Sequence, residues 1–329
     1  LILIISHPGD EHATAVQAEL TERRVDSFLL DTSRFPSRSA VSMLYQAEGA
    51  PEYLYRDAVE GSNGHTDTPV PLHECEVAWW RRPMPFTLHG EIASHPTNRQ
   101  FAVNEIHEAI AGLWPCLEAR WINPVDRDEL ACHKVFQLKM AQRAGLVIPE
   151  TLITNDPGQA RAFAGRHGCE NTIYKAFLAS EGAWRETRLL RPEELALLDS
   201  VRFAPVIFQE YVPADIDLRV TVIGDRIFPA AIHSQKTQYR VDYRMEMGKT
   251  EIEPHQLPDE VEEKLRAFMR TMGLVYGAID LRRRPSGEYV FLEVNPSGQW
   301  LFIEERTGLP LTRAFTETLL AMREAPVPV

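Results

Sequence analysis

Three oxygen-bearing side chains fall close together late in the chain, where Ala278-Ile-Asp280 ends one strand-like run and Phe291-Leu-Glu-Val-Asn295-Pro ends the next. Residues two apart on a strand share a side, so if the two runs are hairpin neighbours, Asp280, Glu293 and Asn295 meet on one face. Hard carboxylate and amide oxygens with open positions suit Mg²⁺ bound jointly with nucleotide phosphates. Any one of them alone reads as a solvated strand end; the spaced triplet points to a metal. Two lysines stand upstream where a nucleotide needs cations: Lys134 in the first turns of a helix, and Lys175 inside the apolar strand Ile173-Tyr-Lys-Ala-Phe177. An ammonium there must take the solvent face, snorkel or meet an anion, and a phosphate satisfies it well. Next, Ile207-Phe-Gln-Glu-Tyr-Val212 is an apolar run carrying Gln209-Glu210, and Asp217-Leu-Arg219 opens a new strand. It reads either as an ordinary strand-turn-strand or as an adenosine hinge. In a hinge, backbone groups of Gln209, Glu210, Tyr211 and Val212 face the adenine edge and the Glu210 carboxylate accepts from its amine. Asp217 then takes the ribose hydroxyls, and Arg219 faces phosphate.

Hydrophobic periodicity predicts the scaffold for these groups. Leu1-Ile-Leu-Ile-Ile5, a helical stretch with Val16 and Leu20, and Phe28-Leu-Leu30 read as a βαβ start. Short strand-like pieces at 42–45 and 53–55 suggest hairpins, and Val77-Ala-Trp-Trp-Arg-Arg-Pro83 a strand ending at a proline. Val103, Ile106, Ile110, Leu113 and Leu117 mark one face of a helix. Trp121-Ile-Asn-Pro124 is a natural boundary, after which Asp126 or Asp128 can cap a helix carrying Ala131, Val135 and Leu138. Strands at 150–154 and 172–176 flank a helix at 157–167, and from Pro205 the chain is strand-rich around a helix with Val261, Leu265, Phe268, Met269 and Met272 on one face. The expected units are 1–120, 121–204 and 205–329, an α/β domain followed by two α+β subdomains, with a frayed tail from Ala325.

The motif order Lys134, Lys175, Gln209-Glu-Tyr-Val212, Asp217-Leu-Arg219, Asp280 and Leu292-Glu-Val-Asn295 resembles the ATP-grasp ligases over residues 121–320. With Val77-Ala-Trp-Trp-Arg-Arg-Pro83, Ile232-His-Ser-Gln235, Asp242-Tyr-Arg244 and Asn295-Pro-Ser-Gly-Gln299, the whole chain is similar to the microviridin-type (graspetide) peptide maturases. The resemblance implies an ATP-grasp fold behind an N-terminal pre-ATP-grasp α/β domain, with ATP and Mg²⁺ as cofactors. It also implies activation of Asp or Glu side chains of a ribosomally made precursor peptide as acyl phosphates. A hydroxyl or amine then closes a side-chain ester or amide crosslink. A homodimer and a leader-peptide docking surface come with it.

In such a reaction Asp280, Glu293 and Asn295 hold the metal, and Lys134, Lys175 and Arg219 hold phosphate oxygens. Arg244 is then the candidate for the peptide's acidic side chain, because a guanidinium matches a carboxylate bidentately, while Asp242 orients Arg244 or attracts an incoming amine. The loop Leu178-Ala-Ser-Glu-Gly-Ala-Trp184 departs from the glycine-rich phosphate flap of the ligases that glutamylate ribosomal protein. Two other functions stay open, a ligase adding glutamate or another amino acid to a protein or peptide, and a non-catalytic partner that binds ATP and leader.

Composition excludes several classes. With 329 residues, 44% hydrophobic and 25% charged, the chain is compact and folded. Lys and Arg number 35 against 47 Asp and Glu, a formal charge of −12, which disfavours nucleic acid and anionic membranes as partners. Four cysteines without a CxxC give no disulfide framework and fit the cytoplasm, and no apolar run approaches the roughly 18 residues of a membrane span. HExxH, P-loop and GxGxxG motifs are missing. Ser6-His-Pro-Gly-Asp-Glu-His12 resembles a zinc deacetylase signature, but Gly9 removes its first aspartate, and Asp10 and His12 read better as caps of the first helix. Of Trp79 and Trp80, strand alternation puts one in a core; Arg81 and Arg82 are expected to pair with acids of the neighbouring domain. Arg282-Arg-Arg284 reads as a hairpin tip, and His65, Asp67 and His73 as solvated.

Overall fold

The computed structural model describes residues 1–57, 68–177, 187–236 and 250–324. The N-terminal part is built on a parallel sheet in the order β2 (Ser27–Leu30), β1 (Ile2–Ile5), β6 (Val77–Trp80), β7 (Arg120–Ile122). All four residues of β1 are buried, as a continuous apolar run covered on both faces requires. Helix α1 (Glu11–Glu22) starts at Asp10, whose carboxylate accepts from the backbone N–H of His12 at 2.9 Å and Ala13 at 3.1 Å. The suspected hairpin is β3 (Ser39–Leu44) against β4 (Glu52–Asp57), extended by β5 (Val70–Pro71). Helices α2 (Gly90–Ala93) and α3 (Pro96–Leu113) follow. Of the predicted stripe, Ile106, Ile110 and Leu113 are buried, Val103 is exposed, and Leu117 lies beyond α3 yet packs into the same core.

Strand β7 carries residues 120–122 into the first sheet, pairing in parallel with β6, so the break expected at 120/121 cuts through a strand. The predicted single helix after Pro124 is two, α4 (Val125–Ala131) and α5 (Lys134–Arg143), and neither Asp126 nor Asp128 caps it. Both aspartates lie inside the first turn, and Val135 faces out.

The middle sheet is antiparallel, ordered β10 (Arg188–Leu189), β9 (Thr172–Lys175), β11 (Val206–Glu210), β8 (Thr151–Thr154), with α6 (Pro157–His167) packed on it. Because β11 bonds to β8 and β9, residues 206–210 belong with this sheet and not with the strand-rich part assigned from 205 onward. The last sheet runs β14 (Ile252–Pro254), β13 (Arg226–Ile232), β12 (Ile216–Ile223), β15 (Tyr276–Arg283), β16 (Tyr289–Asn295). Helix α7 (Asp259–Met272) buries Leu265, Phe268, Met269 and Met272 against it.

One apolar core joins the first and last sheets. It includes Ile2, Ile4, Trp79 and Ile122 from the first, Ile223, Ile232 and Tyr276 from the last, and Trp300 and Phe315 from α8 (Leu301–Thr307), its entry, and α9 (Leu311–Glu324). A core of close-packed aromatics resists shear, so the N-terminal sheet is fixed relative to the strands carrying Asp280 and Glu293.

Candidate active site

Strands β15 and β16 are antiparallel neighbours with Asp280 directly across from Glu293 and a register shift just beyond Asp280. Asn295, two residues on from Glu293, shares its face; its Nδ2 lies 3.3 Å from Glu293 Oε1 and 3.4 Å from Asp280 Oδ2. The amide thus bridges the two carboxylates. Arg219 sits across from Asp280 on β12 and donates to its Oδ1 at 2.9 Å. From the start of α5, Lys134 Nζ reaches Glu293 Oε2 at 2.6 Å. Burial alone would raise the Glu293 pKa, but the ammonium groups of Lys134 and Lys175 outweigh it and hold the carboxyl far below the usual range. Lys175 arrives from the middle sheet, where its Nζ donates to Gln209 Oε1 at 3.0 Å while Gln209 Nε2 donates to Thr151 Oγ1 at 2.8 Å. The triplet, both lysines, Arg219 and Gln209 therefore form one connected group.

The remaining adenosine contacts are placed differently from the reading above. The Glu210 carboxylate pairs with Arg284 at 2.9 Å, and Asp217 is buried, paired with Arg282 at 2.6 Å and accepting from the Ser234 hydroxyl. The backbone N–H groups of Glu210 and Tyr211 donate to the Glu150 and Asn171 carbonyls, and the Val212 carbonyl accepts from Arg282. These groups already have protein partners. For the two carboxylates and the Val212 carbonyl the cause is the arginine run at 282–284. It stands at the end of β15, as expected, but each member folds back onto an acid, Arg282 on Asp217, Arg283 on Asp215 and Arg284 on Glu210. Asp242 and Arg244, the loop at 178–184, His65, Asp67 and the tail from Ala325 lie outside the described residues.

Four side chains that the sequence did not assign to the site fix the segment following Asn295. Arg81 is buried; its Nη1 donates to the carbonyls of Ser297 at 2.7 Å and Gly298 at 2.9 Å, and its Nε pairs with Asp10 at 3.1 Å. Its acid is therefore in its own domain, and what it offers the neighbouring one is hydrogen bonds to backbone. Tyr276 Oη also donates to the Gly298 carbonyl, at 2.8 Å, and Asn123 Nδ2 to that of Pro296 at 3.2 Å. The His12 imidazole accepts from the backbone N–H of Trp300 and Leu301 through Nε2, covering the start of α8. Burial lowers the His12 pKa, which favours the neutral ring this needs. Gly298 has no room for a side chain: a Cβ would overlap the Ala278 methyl and stand 2.9 Å from the Arg219 guanidinium.

Beneath this segment Asp128 is buried among Asn123, Ser297 and Arg81, and burial pushes its carboxyl up to about 7. A carboxyl with a raised folded-state pKa keeps its proton longer in the native state, so its contribution is greatest below the ordinary value and fades as pH rises toward 7. Between pH 5 and 7 the wild type is expected to lose stability through this group by at most about 1.4 kcal/mol per pH unit. Asp128→Asn is expected to remove that slope, as read from urea midpoints at the two pH values.

A cavity of about 360 Å³ opens beside the triplet, lined by Arg82, Cys132, Arg219, Asp280, Asn295 and the following turn. A larger cavity, about 860 Å³, lies in the N-terminal lobe around Trp80, Trp114 and Trp121 and contains none of the candidate site residues. Among the described residues no cluster of three or more His, Cys, Asp and Glu side chains is built to hold a metal. The triplet differs in having two carboxylates and an amide, a hard oxygen set suited to Mg²⁺.

The sequence model of the RimK-like ATP-grasp domain matches residues 127–319. The chain belongs to the RimK-like ATP-grasp family. It is an ATP-dependent ligase with the ATP-grasp fold, and an MvdD pre-ATP grasp domain matches residues 1–129 of it. Among solved structures this ATP-grasp chain is similar to macrocyclase MdnC bound with precursor peptide MdnA from Microcystis aeruginosa MRC. The identity is 27% and the TM-score 0.83, over 97% of this chain and 99% of that one. Macrocyclase MdnB from the same organism is 28% identical, with a TM-score of 0.79 over 97% of this chain and 98% of that one. A Chryseobacterium gregarium RiPP-associated ATP-grasp ligase, in complex with ADP and a leader and core peptide, shares the fold at 23% identity. Its TM-score is 0.85, over 99% of this chain and 97% of that one. Among curated proteins none matches the sequence. Among the described residues of this ligase no helix is long and apolar enough to cross a membrane.

Proposed function

We propose that this ligase activates an Asp or Glu side chain of a ribosomally made precursor peptide and closes it onto a hydroxyl or amine of the same peptide, as in microviridin-type macrocyclisation. The observation that carries the reading is the likeness to MdnC and MdnB across 97% of the chain, N-terminal domain included. Asp280, Glu293 and Asn295 are assigned to Mg²⁺, which when bound offsets phosphate charge and polarises the γ-phosphate. Lys134, Lys175 and Arg219 bind phosphate oxygens, so the substrate carboxylate approaches an anion whose charge the protein has already neutralised. A carboxylate oxygen bonds to the γ-phosphorus as the bond to the β-phosphate oxygen breaks, releasing ADP. The hydroxyl or amine then attacks the acyl carbon, phosphate leaves, and the proton is lost to solvent or to a neighbouring base. The enzyme contributes no covalent nucleophile; holding both peptide side chains together supplies the proximity. Gln209 to Val212 are assigned to adenosine through the groups not engaged within the protein, Asp217 to the ribose by exchange of its Ser234 contact, and Arg244 with Asp242 to the peptide's acid. The proposal includes a homodimer in the cytoplasm, which light scattering on the purified protein checks for assembly.

With ATP, Mg²⁺ and an acidic precursor, the product is expected to lose one water mass per ring, with one ADP released each time. A mass gain by one amino acid would replace this reading with an amino-acid ligase. No ADP with any peptide or amino acid would leave a non-catalytic binding partner.

A further inference from the structure

Among the described residues Arg82 stands apart from the other guanidiniums near the site. Arg81 is tied to Asp10, Arg219 to Asp280, Arg282 to Asp217 and Arg284 to Glu210. Arg82 is exposed and forms no ion pair or side-chain hydrogen bond among the described residues. Yet it lines the cavity that also exposes Asp280 and Asn295. Its backbone is held firmly: the N–H groups of Arg81 and Arg82 both donate to the Ile5 carbonyl at 3.1 Å, and the preceding side chain is the buried Arg81 clamp. Burial pushes the Tyr276 hydroxyl up to about 12 against the pull of the Arg81, Arg219 and Arg82 guanidiniums.

Arg219, already tied to Asp280, Ser297 and Gln299 also line the cavity, and Phe302, Pro296, Cys132 and Gly298 give it an apolar wall against which methylenes can lie. A guanidinium unpaired among the described residues, an apolar wall and the carboxylate assigned to the metal, all lining one cavity, suit an aliphatic carboxylate directed toward the γ-phosphate. We propose that Arg82 binds the carboxylate to be activated, as a second cation beside the one assigned above to Arg244, and that this cavity is the acidic side chain's pocket. The N-terminal domain thereby supplies part of the substrate site. The assignment rests on the ligase reading above, and it makes Arg82 a substrate-binding residue where the sequence had suggested an interdomain ion pair.

Two measurements test it. In ADP release with MdnA as peptide, Arg82→Ala is expected to raise the peptide KM roughly 10- to 100-fold, the worth of a charge-assisted hydrogen bond, with the KM for ATP unchanged within about twofold. Arg82→Lys recovers part of the loss, and Arg313→Ala, an exposed α9 position, has no effect. An unchanged peptide KM in Arg82→Ala overturns the proposal, as does an equal rise in both KM values. The second measurement is phenylglyoxal labelling of the folded wild type loaded with Mg²⁺ and a non-hydrolysable ATP analogue, mapped by mass spectrometry. Glutarate is expected to protect Arg82 and to leave Arg313 labelled. If MdnA supports no turnover, the peptide reading has lost its support in that arm. Labelling then decides on Arg82 alone, and absence of protection by glutarate sinks it.

Discussion

Glu293→Gln is expected to fold as the wild type does and to lose ADP release by roughly 100-fold or more, the scale of removing a group that stabilises charge at a transferring phosphoryl. The fold survives because the pair with Lys134 is partly solvated, with side chains 21% and 23% exposed, and a glutamine oxygen still accepts from that ammonium. The stability change is therefore expected to be moderate, about 1–3 kcal/mol, the scale of a hydrogen bond to a charged group. Turnover does not survive, because the proposed metal site falls from two anionic oxygens to one. The two ammonium groups that now hold Glu293 ionised then face each other with less compensating charge. ADP release in a coupled assay, set beside thermal unfolding with and without Mg²⁺ and ATP, separates the two effects. Retained turnover would remove Glu293 from the metal set and leave Asp280 as the principal ligand. Asp280→Asn is the weaker probe, since Arg219 depends on the same carboxylate.

What the sequence conveyed about the site follows the range of the interactions involved. Asp280, Glu293 and Asn295 were legible because their common face depends only on the period of two along a strand and on a hairpin between successive strands. Lys175 stood out as a charge inside an apolar run. Strand β11 was assigned to the wrong unit because its partners β8 and β9 lie far back in the chain, and no local pattern records which strand an apolar run will join. Glu210 and Asp217 looked free for adenosine because their counterions, Arg284 and Arg282, come from a basic run about seventy residues later that resembles an exposed tip. Arg81 was harder still. Its main partners are the carbonyls of Ser297 and Gly298, and every residue has a carbonyl, so nothing in the sequence marks those two. The one available signal was an arginine pair directly after two tryptophans at the end of a buried strand, where a charge must be either paired or exposed. Here Arg81 takes the first course and Arg82 the second.

Arg81→Met is expected to be the most destabilising single change near the site, by about 3–5 kcal/mol in urea unfolding at neutral pH, because it strands a buried anion. Asp10 and Arg81 side chains are 2% and 0% exposed, so water cannot replace the lost guanidinium. Burial raises the Asp10 pKa, but His12, Arg81 and the helix N–H of Ala13 together drive it below its ordinary 3.8. A depressed carboxyl stabilises the fold above the unfolded-state value, and that contribution disappears as pH falls through the folded-state value, so the wild-type pair is fully effective at neutral pH. Methionine keeps the contact with the Trp79 and Trp300 rings, over which the guanidinium now lies at 5.8 and 5.4 Å, so packing is not the main loss. Adding Asp10→Asn removes the stranded charge while an asparagine still caps α1, and the double variant is expected to recover part of the stability. It is not expected to recover activity. Among the described residues, the Ser297 carbonyl loses its donor without Arg81 and the Gly298 carbonyl keeps only Tyr276. The turn that carries Asn295 toward the cavity then shifts, and displacement of about 1 Å at a reacting centre costs on the order of 100-fold in rate. Partial recovery of the urea midpoint with ADP release still low would identify the clamp as a positioning device for the ligase chemistry. A loss under about 1 kcal/mol in the single variant would show that the first and last sheets hold the turn through their shared apolar core alone.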